Sequence, residues 1–211
     1  IDLVLYFKQL KENGYPLRIL VSDGNLEILR AAQKVYGQAS FLHQLCTRHF
    51  LEDLKRLLNE NETEKNIALT DELIVWIKKI IQAKSLADSK LWLDGLKRNS
   101  HLFKSLTQRS IIKLFSCQFD QLMLHLKMQR QIKIPHTTND IENLFRQLNL
   151  RLKSIGRFNK FQYAENYLKA WALMRRFTAF SCCRKHRKCR NGKAPLQLAD
   201  CDIKKIDYLN L

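Results

Sequence analysis

Apolar positions along the first quarter of the chain switch between two periods. Leu3, Phe7 and Leu10, widened by Val4 and Tyr6, recur at helical intervals up to Gly14. They predict an amphipathic helix packed on a sheet. The continuous run Ile19-Leu20-Val21 within Leu17–Asp23 predicts a short buried strand. Asn25 is placed to cap a helix from about Leu26 to Tyr36, which Gly37 ends. Ala39–Leu45 then predicts a second strand. Helix, strand, helix, strand at these spacings is an α/β unit with a parallel pair.

Beyond Cys46 the pattern is helical. One helix reaches about Leu58, and Asn59–Asn66 is a polar, acidic loop. Three stripes then occupy the stretch from Thr70 to Gln131. Leu73, Trp76, Ile77, Ile80 and Ile81 form the first; Leu91, Trp92 and Leu96 the second; Ile112, Phe115, Phe119, Leu122, Met123 and Leu126 the third. Pro135 closes the run. We read this block as an insertion, with an α/β core over 1–63, the insertion over 64–135, the core resumed over 136–180 and a basic tail over 181–211. In the resumed core, Ile141, Leu144, Phe145, Leu148, Leu152 and Ile155 predict one buried helical face. Asn159 is placed to cap a long helix packed through Phe161, Ala164, Leu168, Trp171 and Ala172. Trp76, Trp92 and Trp171 read as core side chains.

Charge changes this picture. The 211 residues carry 37 Lys plus Arg against 20 Asp plus Glu, a formal net charge of +17. Such an excess points to a polyanion, most often nucleic acid. An anionic membrane surface fits less well, because no segment joins an apolar face to a compact basic one, and no run has the length of a membrane span. Acids outnumber bases between Glu52 and Glu72, whereas from Lys97 to Lys160 only Asp120, Asp140 and Glu142 oppose the bases. The second half therefore faces the partner. Six cysteines and no signal-like start suggest a reducing compartment, the cytoplasm of a bacterium or a nucleus.

Two carboxylates stand out. Asp23 follows an apolar strand and precedes Gly24, so it sits at the carboxyl end of a strand, where ligands of open α/β sheets gather. The local alternative is an Asx-turn. Glu142 falls beside the apolar stripe of its helix, on the same flank as Thr138, Asn149 and Lys153, and can reach over a sheet end. Its local alternative is an i,i+4 pair with Arg146. Cys46-x-x-His49 and Cys183-x-x-His186-x-x-Cys189 each hold part of a zinc site's spacing, though lone pairs of this kind also serve packing. Arg184, Lys185, Arg187, Lys188 and Arg190 make the tail a phosphate-binding segment or a solvated end. There is no P-loop, no dinucleotide-binding glycine pattern and no serine-nucleophile motif.

In combination, these residues resemble one family. A strand ending in Ser22-Asp23-Gly24, a short strand running into Cys46-x-x-His49, a helical insertion and Thr137-Thr138-Asn139-x-x-Glu142 on a helix are similar to the Mutator-type transposases and related bacterial insertion-sequence enzymes. The resemblance spans Leu17 to about Trp171. It implies an RNase H-like fold in which three acids bind two Mg²⁺ or Mn²⁺ ions for DNA strand cleavage and transfer, usually in a homo-oligomer. Asp23 would match the second acid, Glu142 the third, Asn139 the residue near the acid and Arg151 the basic position after it. Asn139, Arg146, Arg151, Lys153 and Arg157 are expected DNA contacts. In that pattern the first acid stands on a strand ahead of the opening helix, and neither Asp2 nor Glu12 replaces it. The expectation is thus a C-terminal portion: a partial α/β RNase H-like fold, mostly helical, with its first three strands missing and inactive alone. The alternative is a non-catalytic, transposase-derived DNA-binding protein, with or without structural zinc.

Overall fold

Two four-residue strands carry the element on which the site is built. In the computed structural model, which describes residues 2–61, 67–181, 183 and 185–198, the chain divides into two units, Ile1–Phe145 and Arg146–Leu211. The first opens with α1 (Leu3–Glu12), whose N-cap Asp2 accepts from the Val4 and Leu5 N–H groups. β1 (Ile19–Ser22), α2 (Leu26–Tyr36) and β2 (Leu42–Leu45) follow. The strands pair in parallel, Ile19 opposite Leu42 through Ser22 opposite Leu45. Both are shorter than the apolar pattern suggests. Residues ahead of β2 are spent on the turn that Gly37 opens, where the Ser40 hydroxyl donates to the Gly37 carbonyl.

Asn25 caps α2 through the Glu27 N–H, as expected. α1 and α2 enclose a small core of Phe7, Leu17, Ala31, Ala32 and Phe41. Tyr6 was expected on the buried face of α1, but it points to solvent.

The rest of this unit is helical: α3 (Thr47–Asn61), α4 (Ile67–Ile81), α5 (Leu86–Arg98), α6 (Leu106–Leu122) and the single turn α7 (Leu124–Lys127). The acidic segment after Asn61 lies outside the described residues. One continuous core joins Leu45 of β2 and Phe50, Leu54 and Leu58 of α3 to Leu73, Ile77, Leu96, Phe115 and Leu122 of the block. The helical block therefore shares its interior with the strand–helix segment that precedes it. The α6 stripe is buried where the periodicity puts it, and on α4 Leu73, Ile77 and Ile80 are buried while Trp76 and Ile81 are half-buried. On α5 the buried side chains are Leu93 and Leu96, while Leu91 and Trp92 are exposed. Consecutive apolar residues there leave the face ambiguous. Trp92 instead meets the edge of Trp76, 5.8 Å between ring centroids.

A buried polar contact fixes β2 to the end of α6. Gln44 Nε2 donates to the Leu122 carbonyl at 2.9 Å, and its Oε1 accepts from the His125 N–H at 2.8 Å.

α8 (Asn139–Ile155) begins in the first unit and ends in the second. Its apolar stripe is not uniformly covered: Leu148 is buried, but Ile141 and Phe145 are each 56% exposed. In the second unit α9 (Phe161–Phe177) buries none of its side chains, and Phe161 is 83% exposed. Helical spacing put these residues on one face but could not supply a neighbour to cover it. Lys160, not Asn159, occupies the α9 cap position, without a side-chain bond. The loop after α9 is closed by a bridge between Phe180 and Asn191, and the short α10 (Pro195–Leu198) packs on α9. No helix among the described residues is long and apolar enough to cross a membrane.

Candidate functional site

The site grows from the carboxyl ends of β1 and β2. Asp23 is the first residue past β1 and is exposed. Gly24, at φ +94°, turns the chain sharply there, and a Cβ on it would meet Leu45 at 3.6 Å. Asp23 Oδ1 accepts from the Asn25 N–H at 3.1 Å. The Asx-turn therefore forms, and it holds the carboxylate at the sheet end. The Cys46 N–H donates to the Ser22 carbonyl at 2.7 Å, so the ladder carries Cys46 beside the base of Asp23.

α3 starts one residue later. Arg48 and His49 lie in its first turn, which contains no acid. An Arg at the positive end of a helix calls for an anion.

That anion arrives on α8. The His136 carbonyl accepts from both the N–H and the hydroxyl of Thr47, which ties the segment before α8 to the start of α3. The Thr138 N–H then donates to Cys46 Sγ at 3.4 Å. One turn on, Glu142 faces back: its Oε1 accepts from the Thr138 hydroxyl at 2.6 Å, and its Oε2 pairs with Arg48. His49 Nε2 lies 3.6 Å from Glu142 Oε1. Its Nδ1 is 3.3 Å from Thr138 Oγ1.

Thr138 has one hydroxyl proton, and its shortest contact is to the carboxylate. Thr138 Oγ1 also lies 3.3 Å from His49 Nδ1 and 3.5 Å from Cys46 Sγ. His49 Nε2 lies 3.5 Å from Arg48 Nη2.

The two motifs separated by the helical block thus meet: Cys46-x-x-His49 cradles the Thr138–Glu142 turn. Glu142 pairs with Arg48 across the fold rather than with the neighbouring Arg146. The contribution of Arg48 was missed in the sequence, although an acid-free helix start opening on Arg-His is a readable signal.

One expected zinc ligand, the His186 side chain, lies outside the described residues. Among the described residues no group of three or more His, Cys, Asp or Glu side chains is arranged so that it could hold a metal ion. Cys46 and His49 are instead engaged by Thr138. Cys183 is a free thiol. Asn139, Arg146, Arg151, Lys153 and Arg157 are all exposed along α8 and the turn after it, as are Lys188 and Arg190. Arg184 and the side chains of Lys185 and Arg187 lie outside the described residues.

A cavity of about 320 Å³ opens beside Asp23, lined by Leu29, His43, Phe50 and Leu114 among others. Burial lowers the pKa of His43, whose Nε2 is 2.9 Å from the Ser22 hydroxyl. The neutral ring is therefore the form at the sheet face.

No curated protein and no solved structure matches the chain. Residues 4–175 match the model of a family described as Transposase, Mutator family. That match takes in the Asp23 turn, the Cys46–His49 motif and the Thr138–Glu142 helix start, and on its extent the chain belongs to the Mutator family of transposases.

Proposed function

We propose that this chain supplies two acids, Asp23 and Glu142, to an RNase H-like DNA transposase that cleaves and joins DNA strands with a divalent metal. The observation that carries the reading is the delivery of Glu142, on α8, to the cluster built on Cys46 at the sheet end that also bears Asp23.

The donor set fits Mg²⁺ or Mn²⁺. Both are hard cations that take carboxylate oxygens and keep waters, so they need few protein ligands. Arg48 on Glu142 Oε2 is a further sign that this carboxylate is built to face positive charge. Asp23 and Glu142 would hold the metal, which when bound activates a water or 3′-hydroxyl and stabilises the leaving oxygen.

The chain's own residues prepare the acids. The Asn25 N–H fixes one oxygen of Asp23. Thr138 fixes the rotamer of Glu142, and the His49 ring lies against the Thr138 hydroxyl. Arg48 balances the carboxylate's charge.

Mn²⁺ titration followed by electron paramagnetic resonance tests this in the protein that carries the chain. Asp23→Asn and Glu142→Gln should each weaken binding roughly tenfold or more, since each removes a charged ligand. Arg48→Gln should tighten it several-fold, because a competing cation is gone. Equal affinity in the wild type and both acid variants would sink the metal reading. Retained DNA binding would then leave a transposase-derived DNA-binding protein that performs no chemistry.

A further inference from the structure

A cleft of about 450 Å³ opens on the helical block where the end of α5 gives way to α6. Phe103 and Ile112, both buried, line its floor. Its rim carries His101, Lys104, Arg109 and Lys113. These bases lie in a stretch with no Asp or Glu between Lys97 and Asp120. Among the described residues no carboxylate pairs with Lys104, Arg109 or Lys113.

Two features make this more than a solvated basic face. Arg109 donates from Nε and Nη2 to the Lys104 carbonyl, at 3.2 and 2.5 Å, which fixes the guanidinium plane on the rim and leaves its other N–H groups to a ligand. Arg109 also lies just inside the start of α6, whose first turn has no acid. A cation over the positive end of a 17-residue helix is unfavourable unless an anion joins it. The apolar surface of Phe103 and Ile112 suits a sugar beside a phosphate.

We propose that this cleft binds the phosphodiester backbone of duplex DNA without regard to sequence. The proposal rests on the reading that the chain handles DNA, and it adds Lys104, Arg109 and Lys113 as contacts on the helical block.

The test is fluorescence anisotropy with a labelled duplex of arbitrary sequence, titrated at several KCl concentrations. Each phosphate contact contributes about 0.9 to the slope of log affinity against log salt. Lys104→Gln/Arg109→Gln/Lys113→Gln should therefore flatten the slope by roughly 2 to 3 and weaken binding about tenfold or more near 0.1 M salt. The double variant Lys104→Gln/Lys113→Gln leaves Arg109 and its carbonyl bond intact. It should flatten the slope by about 2, so the test survives if the triple variant fails to fold. Lys84→Gln/Lys90→Gln removes two charges from the same block outside the cleft and should leave the slope within about 0.5 of wild type.

An unchanged slope in the cleft variants overturns the proposal while leaving DNA binding in place. An equal loss in the Lys84/Lys90 variant overturns it too, since the effect would then be general charge. Failure of the wild type to bind duplex DNA would overturn both the proposal and the reading beneath it.

Discussion

α6 and the first turns of α8 were read from the same pattern, an apolar stripe at helical spacing, and they are held in opposite ways. On α6, Ile111, Ile112, Phe115, Phe119 and Leu122 are all buried, and Phe115 touches the rings of Phe50 and Phe119 at 5.8 and 6.3 Å between centroids. On α8, Ile141 and Phe145 are more than half exposed, and the helix start is fixed by Thr138, Cys46, Arg48 and Glu142 instead. The first arrangement places a helix by dispersion and exclusion of water. The second places one side chain through directed polar contacts. Periodicity identifies a face that can be buried; burial itself needs a partner surface, which periodicity does not contain.

The strongest way to sharpen the contrast is Phe115→Ala. The side chain is fully buried in the shared core, so its removal leaves a cavity between α3 and α6 and should cost about 3–5 kcal/mol. Urea denaturation followed by circular dichroism measures this. A loss below about 1 kcal/mol would mean that the block repacks freely and that packing does not place α6.

A smaller effect comes from the joint between the two regions. His125, at the turn after α6, is pushed down to about 4, chiefly by burial and then by His136, whose ring centroid is 5.2 Å away. His136 belongs to the segment leading into α8. The folded ring resists a proton that the unfolded chain accepts near pH 6.5, so below that pH the unfolded state binds more protons. Stability is therefore full above about 6.5 and falls as pH drops toward about 4. The cost is about 1–2 kcal/mol after allowing for screening at a half-buried ring. Urea midpoints measured between pH 7.5 and 4.5 should drop in the wild type and drop less in His125→Asn. Parallel curves would show that this ring does not couple to folding. His43, lowered by burial, adds to the same slope and keeps the variant's curve from being flat.

These cases show what was readable. α2 was placed to its ends because its cap and its stop are local: Asn25 bonds the Glu27 N–H, and Gly37 sits at φ +96°. Asp23 was placed for the same reason. The α6 stripe was readable because its apolar residues are well separated. On α5 the adjoining Leu91, Trp92 and Leu93 fit two faces, and the core took Leu93. At the site, the flank shared by Thr138 and Glu142 followed from helical geometry, and the two side chains do bond. The choice of Arg48 over Arg146 did not follow. It depends on the His136 carbonyl pinning α8 to Thr47, a tertiary contact between residues far apart in the chain.

The smallest expected effect is the most direct test of the comparison. Phe145→Ser changes an apolar side chain that is already more than half in water, so little burial is lost and stability should move by less than about 0.5 kcal/mol. Read from its periodicity alone, the same residue would be a core position costing several times that amount. A loss comparable to that of Phe115→Ala would show that the α8 face is covered in solution, and the two helices would then be held alike. A negligible loss, with Mn²⁺ affinity unchanged, would show that Glu142 keeps its place through Thr138 and Arg48 without help from the apolar face beside it.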